Sequence, residues 1–311
     1  MGFLVNPQQT GFIQGRHITD NVLNLKLGQE WADWTDQQAL FFKLDFTKAY
    51  DRVDHAFMWQ FMRLLRLAEH EGRLKVLEIE PGRSLLHQLF ADDTGICLCD
   101  QKENFDELMR ILARYELASG VQISIRKSLV MPLGRGDVPD WVYQLGCEVV
   151  HMTQWFKYLG VRTGVAISRN ANIDEAVRRL NCKLLQWENF YLPWTARLVL
   201  IKHVLGQIPS YILLTVGCDK KAASRLEQTC RRFLWGVNAE GKLKKALIAW
   251  DRLVQPKSQG GLGLLTFASR AQALQMRYLT VILDNKQSEW AMIFRRMVRI
   301  KLITGPSKLD R

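Results

Sequence analysis

The chain has 311 residues, 48% of them hydrophobic, which is enough for one large or two modest folded domains. It contains no apolar run of membrane-spanning length, no signal peptide and no CxxC pair among its six cysteines. We therefore expect no membrane partner, no zinc finger, and free thiols in a reducing, intracellular environment. Lys and Arg outnumber Asp and Glu by 43 to 31, and the net charge of +12 suits a polyanion such as nucleic acid, although many basic proteins bind none.

The first 40 residues hold one predicted helix. Thr19 and Asp20 are residue types that cap a helix N-terminus, and the apolar positions Val22, Leu25 and Trp31 continue a helical stripe after them.

Residues 38–67 form the clearest strand-to-helix passage. The run QALFFKLD predicts a buried strand that ends at Asp45. A helical stripe with three- and four-residue spacing follows, through Phe57 and Phe61 to Leu64 or Leu65. A carboxylate at such a boundary is seldom purely structural, so Asp45 is a candidate functional residue.

Residues 84–100 hold a pair of adjacent acids, Asp92 and Asp93, between two apolar runs. This pattern is typical of a β-hairpin with the acids at its tip. At a turn both carboxylates can approach one cation, whereas neighbours within a strand point to opposite faces. Placed beside Asp45, they would form a site for hard divalent metal ions, and phosphoryl transfer is the usual use of such a site.

The middle of the chain continues with shorter elements. A helix over 103–119 is predicted to stop at Gly120, and the alternation of Val121, Ile123 and Ile125 predicts a half-buried strand. The string FKYLGV (156–161) contains a tight glycine turn.

From about residue 170 the pattern becomes helical. Of three apolar stripes, the second is predicted to stop at Pro209 and the third at Gly236. Between Arg178 and Arg232 ten Lys and Arg residues stand against three acids, a local charge of +7. Helices this basic suit the phosphate backbone of a nucleic-acid duplex, and a plain solvated face is the alternative. A basic amphipathic helix is predicted from Trp290 to Lys301.

Several of these segments, in this order, resemble the reverse transcriptases of plant-type LINE (non-LTR) retrotransposons. The matching strings are QTGFIQGRHITDN, KLDFTKAYDRV, FADD, SG…KS, FKYLGV, LIKHVLGQIPSY, RRFLWG and PKSQGGLGL, from about Gln9 to Leu283. The resemblance implies an α+β fold, in which a partial polymerase palm has an antiparallel sheet and helices. The implied domains are a fingers remnant (1–40), a palm with the acidic and primer-grip-like hairpins (41–165), and a basic helical thumb and connector (166–311).

The resemblance also implies roles for individual residues. Catalysis and the binding of Mg²⁺ or Mn²⁺ fall to Asp45, Asp92 and Asp93. Nucleotide or template contacts fall to Phe46, Arg16 and Lys127. The primer-grip-like hairpin contains Tyr158, Leu159 and Gly160. Contacts to the nucleic-acid backbone fall to Arg178, Arg179, Lys183, Arg197 and Lys202. For Arg16 and Lys127 an ordinary exposed side chain is the alternative, and for the hairpin it is ordinary turn packing.

The implied partners are an RNA template, a DNA primer and deoxynucleoside triphosphates. Nothing in the sequence indicates a protein partner. A nuclear location suits a nucleic-acid partner, but no compact Lys/Arg run supports it.

One central piece of the family pattern is missing. Asp45 and Asp92 are only 47 positions apart, whereas the family has a longer span with an RQG-PLSP-type loop and a long helix that form the nucleotide pocket. The interruption lies near Leu67–Ala68, and it predicts that part of the palm sheet is exposed or repacked. Two interpretations follow: a working RNA-directed DNA polymerase, or a degenerate, catalytically inactive relic of a reverse transcriptase that at most binds nucleic acid through its basic thumb, and the missing pocket favours the relic. A third is an unrelated basic globular protein.

Overall fold

The computed structural model describes residues 17–47, 55–90, 93–151, 153–164, 169–187, 190–237, 240, 244–264, 266–284 and 288–304. The chain packs as two compact units, one formed by residues up to 167 together with 285–311, and the other by residues 168–284. The fold is α+β, as the sequence predicts. The fingers, palm and thumb assignments stay predictions. Arg16 and Asp92 lie outside the described residues.

The first unit is built on a five-stranded sheet with strand order β4-β5-β1-β6-β7. Its strands are β1 (Ala39–Leu44), β4 (His87–Phe90), β5 (Asp93–Cys99), β6 (Leu129–Leu133) and β7 (Glu148–Val149). All neighbours are antiparallel except β6 and β7, which are parallel. Two small hairpins accompany the sheet, β2 (Leu77–Glu80) with β3 (Arg83–Leu85), and β8 (Phe156–Tyr158) with β9 (Val161–Thr163). The predicted hairpin around the acidic pair is therefore confirmed as β4–β5.

The helices of the first unit come from both ends of the chain. They are α1 (Ile18–Thr35), α2 (His55–His70), α3 (Lys102–Ser119), α4 (Asp140–Tyr143) and α11 (Glu289–Thr304). The end of α3 at Gly120 was predicted correctly. The helix in the tail, α11, was also predicted correctly. The predicted start of α1 was two residues late: His17 is the N-cap, and its backbone N–H donates to the Asp20 carboxylate at 3.1 Å. Asp20 therefore acts from the first turn, where an acid also suits the helix dipole.

Both faces of the central sheet are buried. Alternation along β1 sends Leu40, Phe42 and Leu44 into a cluster with α2 and α3. The opposite face, with Phe41, packs against α1, α11 and the two small hairpins. The sequence predicts that part of the sheet is exposed or repacked. In the described strands both faces are covered by other elements. The tail helix α11 supplies part of that cover, because Ile293 is fully buried there.

The interruption predicted from the sequence falls inside a continuous helix. Leu67 is an exposed position of α2, and Ala68 is fully buried on the same helix face as Phe61 and Leu65. The helix ends only after His70, at Gly72, whose φ of 71° is the left-handed conformation that glycine favours. The two sides of the junction thus share one apolar stripe.

The predicted strand over Val121–Ile125 was wrong. The structure has a single antiparallel bridge there, Phe46 with Ile123, followed by a 3₁₀ turn over Ile125–Lys127. The place beside β1 belongs to β6 instead, which pairs with it along five residues. Short alternating runs identify a half-buried segment but not its hydrogen-bond partner.

The second unit is helical. Its helices are α5 (Arg169–Leu185), α6 (Trp194–Leu200), α7 (Ser210–Val216), α8 (Lys220–Trp235), α9 (Trp250–Leu253) and α10 (Phe267–Leu283). A π-helical turn, Ile201–Leu205, extends α6, and Pro209 then begins α7, so the predicted stop is only a break between two helices. The end of α8 at Gly236 was predicted correctly, and Asp219 caps its start by accepting from Ala222 N–H at 2.7 Å.

Among the described helices, no single one is long and apolar enough to span a membrane. One pair bent by 46°, Trp194–Leu205 with Ser210–Val216, meets the length and composition criteria together.

Candidate functional site

Two of the predicted acids lie at the same end of the sheet. The β1–β5 register ends with the pair Leu44–Thr94, so Asp45 follows β1 and Asp93 begins β5 at the same end of the sheet. Leu44 and Phe46 both belong to the cluster beneath the sheet, so the residue between them points to the other face. Asp45 and Asp93 are half-buried. The sequence prediction that Asp45 meets the acidic hairpin is consistent with this placement, while Asp92 lies outside the described residues.

The backbone of Asp45 is held by the segment that follows α3. Ser128 Oγ accepts the Asp45 N–H at 3.1 Å and donates to the Ser124 carbonyl at 2.8 Å. In turn, Ser124 N–H donates to the Asp45 carbonyl at 2.9 Å. Ser128 is buried, with 3% exposure. Sequence reasoning singled out Lys127, which is exposed, and missed the positioning role of the serine beside it.

Phe46 points away from the acids. Its side chain is buried, and its ring packs edge-on against Tyr115 with the centroids 6.0 Å apart. The structure therefore does not bring Phe46 and the two acids onto one surface. Its role beside an incoming sugar stays a prediction.

Lys43 neutralises one of the acids. Its Nζ lies 3.1 Å from Asp93 Oδ1, and the two side chains are 27% and 35% exposed. The contact depends on the pairing of β1 with β5, which sets Lys43 opposite Gly95, two residues from Asp93, so the motif KLD alone does not indicate it. It was missed.

The donor types at this end of the sheet fit a hard divalent cation, since carboxylate oxygens are its usual protein ligands. In the described part of the chain, however, no group of three His, Cys, Asp or Glu side chains could hold a metal ion. The Lys43 ammonium already occupies one Asp93 oxygen. A third ligand would have to come from outside the described residues, where Asp92 adjoins Asp93 in sequence.

The β8–β9 hairpin is anchored to the same sheet face. Tyr158 is fully buried, its ring packs edge-on against Phe41 at 5.5 Å, and its hydroxyl donates to Gln88 Oε1 at 3.3 Å. Leu159 and Gly160 have φ of 47° and 83°, and two positive φ values are the signature of a tight hairpin turn. The predicted hairpin is present, and Tyr158 is engaged in the core. Its primer-gripping role is a prediction.

The basic residues predicted for the second unit are partly neutralised. Glu175 contacts Arg178 at 2.8 Å and Arg179 at 2.9 Å. The hydrogen bond from Arg178 is the main reason that the pKa of Glu175 falls to about 2. Asp174 likewise pairs with Arg225. A charge count that begins at Arg178 misses both acids, because they lie three and four residues upstream.

The other three predicted contacts to a nucleic-acid backbone differ in their surroundings. Arg197 donates to the carbonyls of Leu192 and Phe233 at 3.0 and 3.2 Å, so it ties α6 to the end of α8. Lys183 donates to Gln186 Oε1 at 2.8 Å and lies over the Trp187 ring. Lys202 lines a separate small cavity.

Comparison with known proteins gives a partial match. No family model matches the chain. Over 126 residues, 40% of the chain, it is 31% identical to the Arabidopsis thaliana protein named "Putative ribonuclease H protein At1g65750". The chain spans about a fifth of that protein, since the aligned part is 20% of its length.

Proposed function

We propose that this chain is a reverse transcriptase domain of non-LTR retrotransposon origin that has kept nucleic-acid binding and lost templated DNA synthesis. The observation that supports the proposal is that Asp45 and Asp93 adjoin the last β1–β5 pair, Leu44–Thr94, at one end of an antiparallel sheet. A pair of carboxylates on adjacent strands is the arrangement that the sequence motifs KLD and FADD predict. The relative named as a putative ribonuclease H protein supports a function that involves nucleic acid, because a ribonuclease H acts on nucleic acid.

Asp45, Asp93 and the neighbouring Asp92 are the residues that would hold Mg²⁺ or Mn²⁺. A bound divalent ion at such a site activates an attacking hydroxyl and stabilises the charge of a leaving phosphate. This chain's own contribution is to position the acids: Ser128 fixes the Asp45 backbone, and Lys43 balances the charge of Asp93. The Lys43 ammonium lowers the electrostatic cost of placing a second carboxylate near Asp93.

The missing nucleotide pocket argues against polymerisation. Rate gain in phosphoryl transfer depends on positioning, and a misplacement of about 1 Å can cost roughly 100-fold. The α2 helix passes directly from Leu67 to Ala68, which leaves no chain there for an RQG-type loop. Phe46, the predicted neighbour of the sugar, is buried in the core.

Nucleic-acid binding is assigned to the second unit, with a template–primer duplex as the partner. Arg178, Arg179 and Lys183 follow one another along α5 and are the predicted phosphate contacts. The ion pairs of Glu175 reduce the positive charge of this surface. They do not make it negative, because one carboxylate pairs with two arginines. Contacts of this kind are independent of base sequence and fall off steeply with salt.

The test combines a binding assay with a primer-extension assay on the full chain. We expect an RNA–DNA duplex to bind with an affinity that decreases as salt increases, and no incorporation of deoxynucleotides with Mg²⁺ or Mn²⁺. Absence of binding even at low salt would refute the proposal. The alternative, a working polymerase, is established instead if the parent incorporates nucleotides and Asp45→Asn abolishes this, while the matched exposed change Asp106→Asn on α3 does not.

A further inference from the structure

A groove in the second unit runs along the seam between α5 and α8. One part, of about 440 Å³, is lined by Trp187, Phe190 and Phe233 among other residues. The adjoining part, of about 270 Å³, is lined by Arg225 and polar residues of α8. The two parts share Asn181, Leu184 and Arg232 and are therefore continuous. Volumes of this size are typical of ligand sites.

The first part of the groove is aromatic and open. Trp187 and Phe233 lie with ring centroids 5.7 Å apart and an interplanar angle of 38°. Phe190, on the connection after α5, is 64% exposed, and Leu185 at the end of that helix is also 64% exposed. A cluster of exposed large apolar side chains around a concave surface indicates a binding surface more than a solvated one.

The groove carries positive charge alongside its aromatic rings. Arg232 is exposed between the two parts, and Arg225 lies about two helical turns away, or about 10 Å along α8. The guanidinium of Arg197 is fixed 5.9 Å from the Phe233 ring. None of the described residues that line the groove is acidic, and the Asp174 carboxylate pairs with Arg225. The occupant should therefore be an anion with flat apolar faces.

We propose that this α5–α8 groove binds an unpaired stretch of single-stranded nucleic acid, with a base against the aromatic part and phosphates beside Arg225 and Arg232. Stacking on aromatic rings combined with a basic track is how sequence-independent single-strand sites work. Bases inside a duplex have no free faces to offer to Phe190 or Trp187. The inference rests on the proposed nucleic-acid binding and adds, beside the duplex surface, a separate site for an unpaired strand.

The test measures the fluorescence anisotropy of labelled oligo-dT and oligo-U, about 15 nucleotides long, and of a duplex of the same length, with the full chain. Phe190→Ala should weaken single-strand binding about 5-fold or more. Arg232→Gln should reduce the slope of log affinity against log salt by about 0.7. Both side chains are exposed, so neither change should unfold the protein. Matched controls are Tyr143→Ala and Arg252→Gln, which are exposed and do not line the groove.

The outcomes separate the inference about the groove from the proposed function. Single-strand binding that Phe190→Ala leaves unchanged would overturn the inference, as would an equal loss for duplex and single strand. A chain that binds duplex but no single strand also overturns it and leaves the proposed function standing. A chain that binds neither duplex nor single strand refutes both the inference and the proposed function. If Phe190→Ala instead converts a dimer to a monomer without changing binding, the groove is a self-association surface and the inference fails.

Discussion

Ser128→Ala should loosen the end of β1 that carries Asp45. The serine is 3% exposed, and its hydroxyl is the partner of the Asp45 N–H at 3.1 Å. Alanine leaves that N–H unpaired, which costs about 1–3 kcal/mol. The Ser124 carbonyl loses less, because it still accepts the backbone N–H groups of Lys127 and Ser128 at 3.1 and 3.0 Å. The expected loss in the free energy of unfolding is therefore about that of one orphaned donor.

The assay is native-state hydrogen exchange, because a chain with two compact units need not unfold in one step. Amides of β1 and the Asp45 amide should exchange faster in Ser128→Ala, while amides of the second unit should not change. Ser258→Ala, an exposed serine in the second unit, is the matched control. An Asp45 amide that stays equally protected would refute the idea that Ser128 positions this acid.

Three further predictions concern packing and charge. Ile293→Ala, at a fully buried position of α11, should lower the opening free energy of the first unit, measured by native-state hydrogen exchange, by about 2–5 kcal/mol. Leu302→Ala on the same helix, 81% exposed, should stay within about 0.5 kcal/mol. In Gly95→Ala the new Cβ would lie 2.5 Å from the Phe41 ring, so the melting temperature should drop by an amount equivalent to about 1–3 kcal/mol. Since the pKa of Glu175 is lowered from 4.5 to about 2, its stabilisation is complete above pH 4.5 and lost towards pH 2. Glu175→Gln should flatten that acid limb of the stability curve, and an unchanged limb would contradict the ion pairs.

Local patterns predicted the elements well where the signal is contained in one segment. The helix α8 carries its own stripe, its cap at Asp219 and its glycine stop at Gly236, and the strands β4 and β5 pair with each other as neighbours in sequence. The partners of these elements are set by distant residues, and there the sequence was less informative. Nothing in the string WAMIFRRMVRIK indicates that Ile293 completes a core with Phe41, more than 200 positions earlier.

The surface charge of the second unit was the property that a count over a continuous stretch of sequence predicted least well. The count from Arg178 to Arg232 gave +7, but Asp174 and Glu175, which pair with Arg225, Arg178 and Arg179, lie just outside it. Helical spacing places Glu175 three and four residues from its two arginines, where side chains meet. The electrostatic surface therefore depends on which residues share a helix face.

The acids at the end of the sheet raise the question of what keeps them there if synthesis is lost. Asp93 has a structural partner in Lys43, which lies on the covered face of the sheet beside Gly95. Removing the carboxylate would leave a half-buried ammonium unpaired, and that has a cost independent of catalysis. For Asp45, the hydrogen bonds with Ser128 and Ser124 hold the backbone N–H and carbonyl. Asp93 thus has a structural role in addition to its proposed one, whereas the contacts described for Asp45 involve its backbone. Among the described acids, a variant at Asp45 therefore tests catalysis with the least disturbance of the fold.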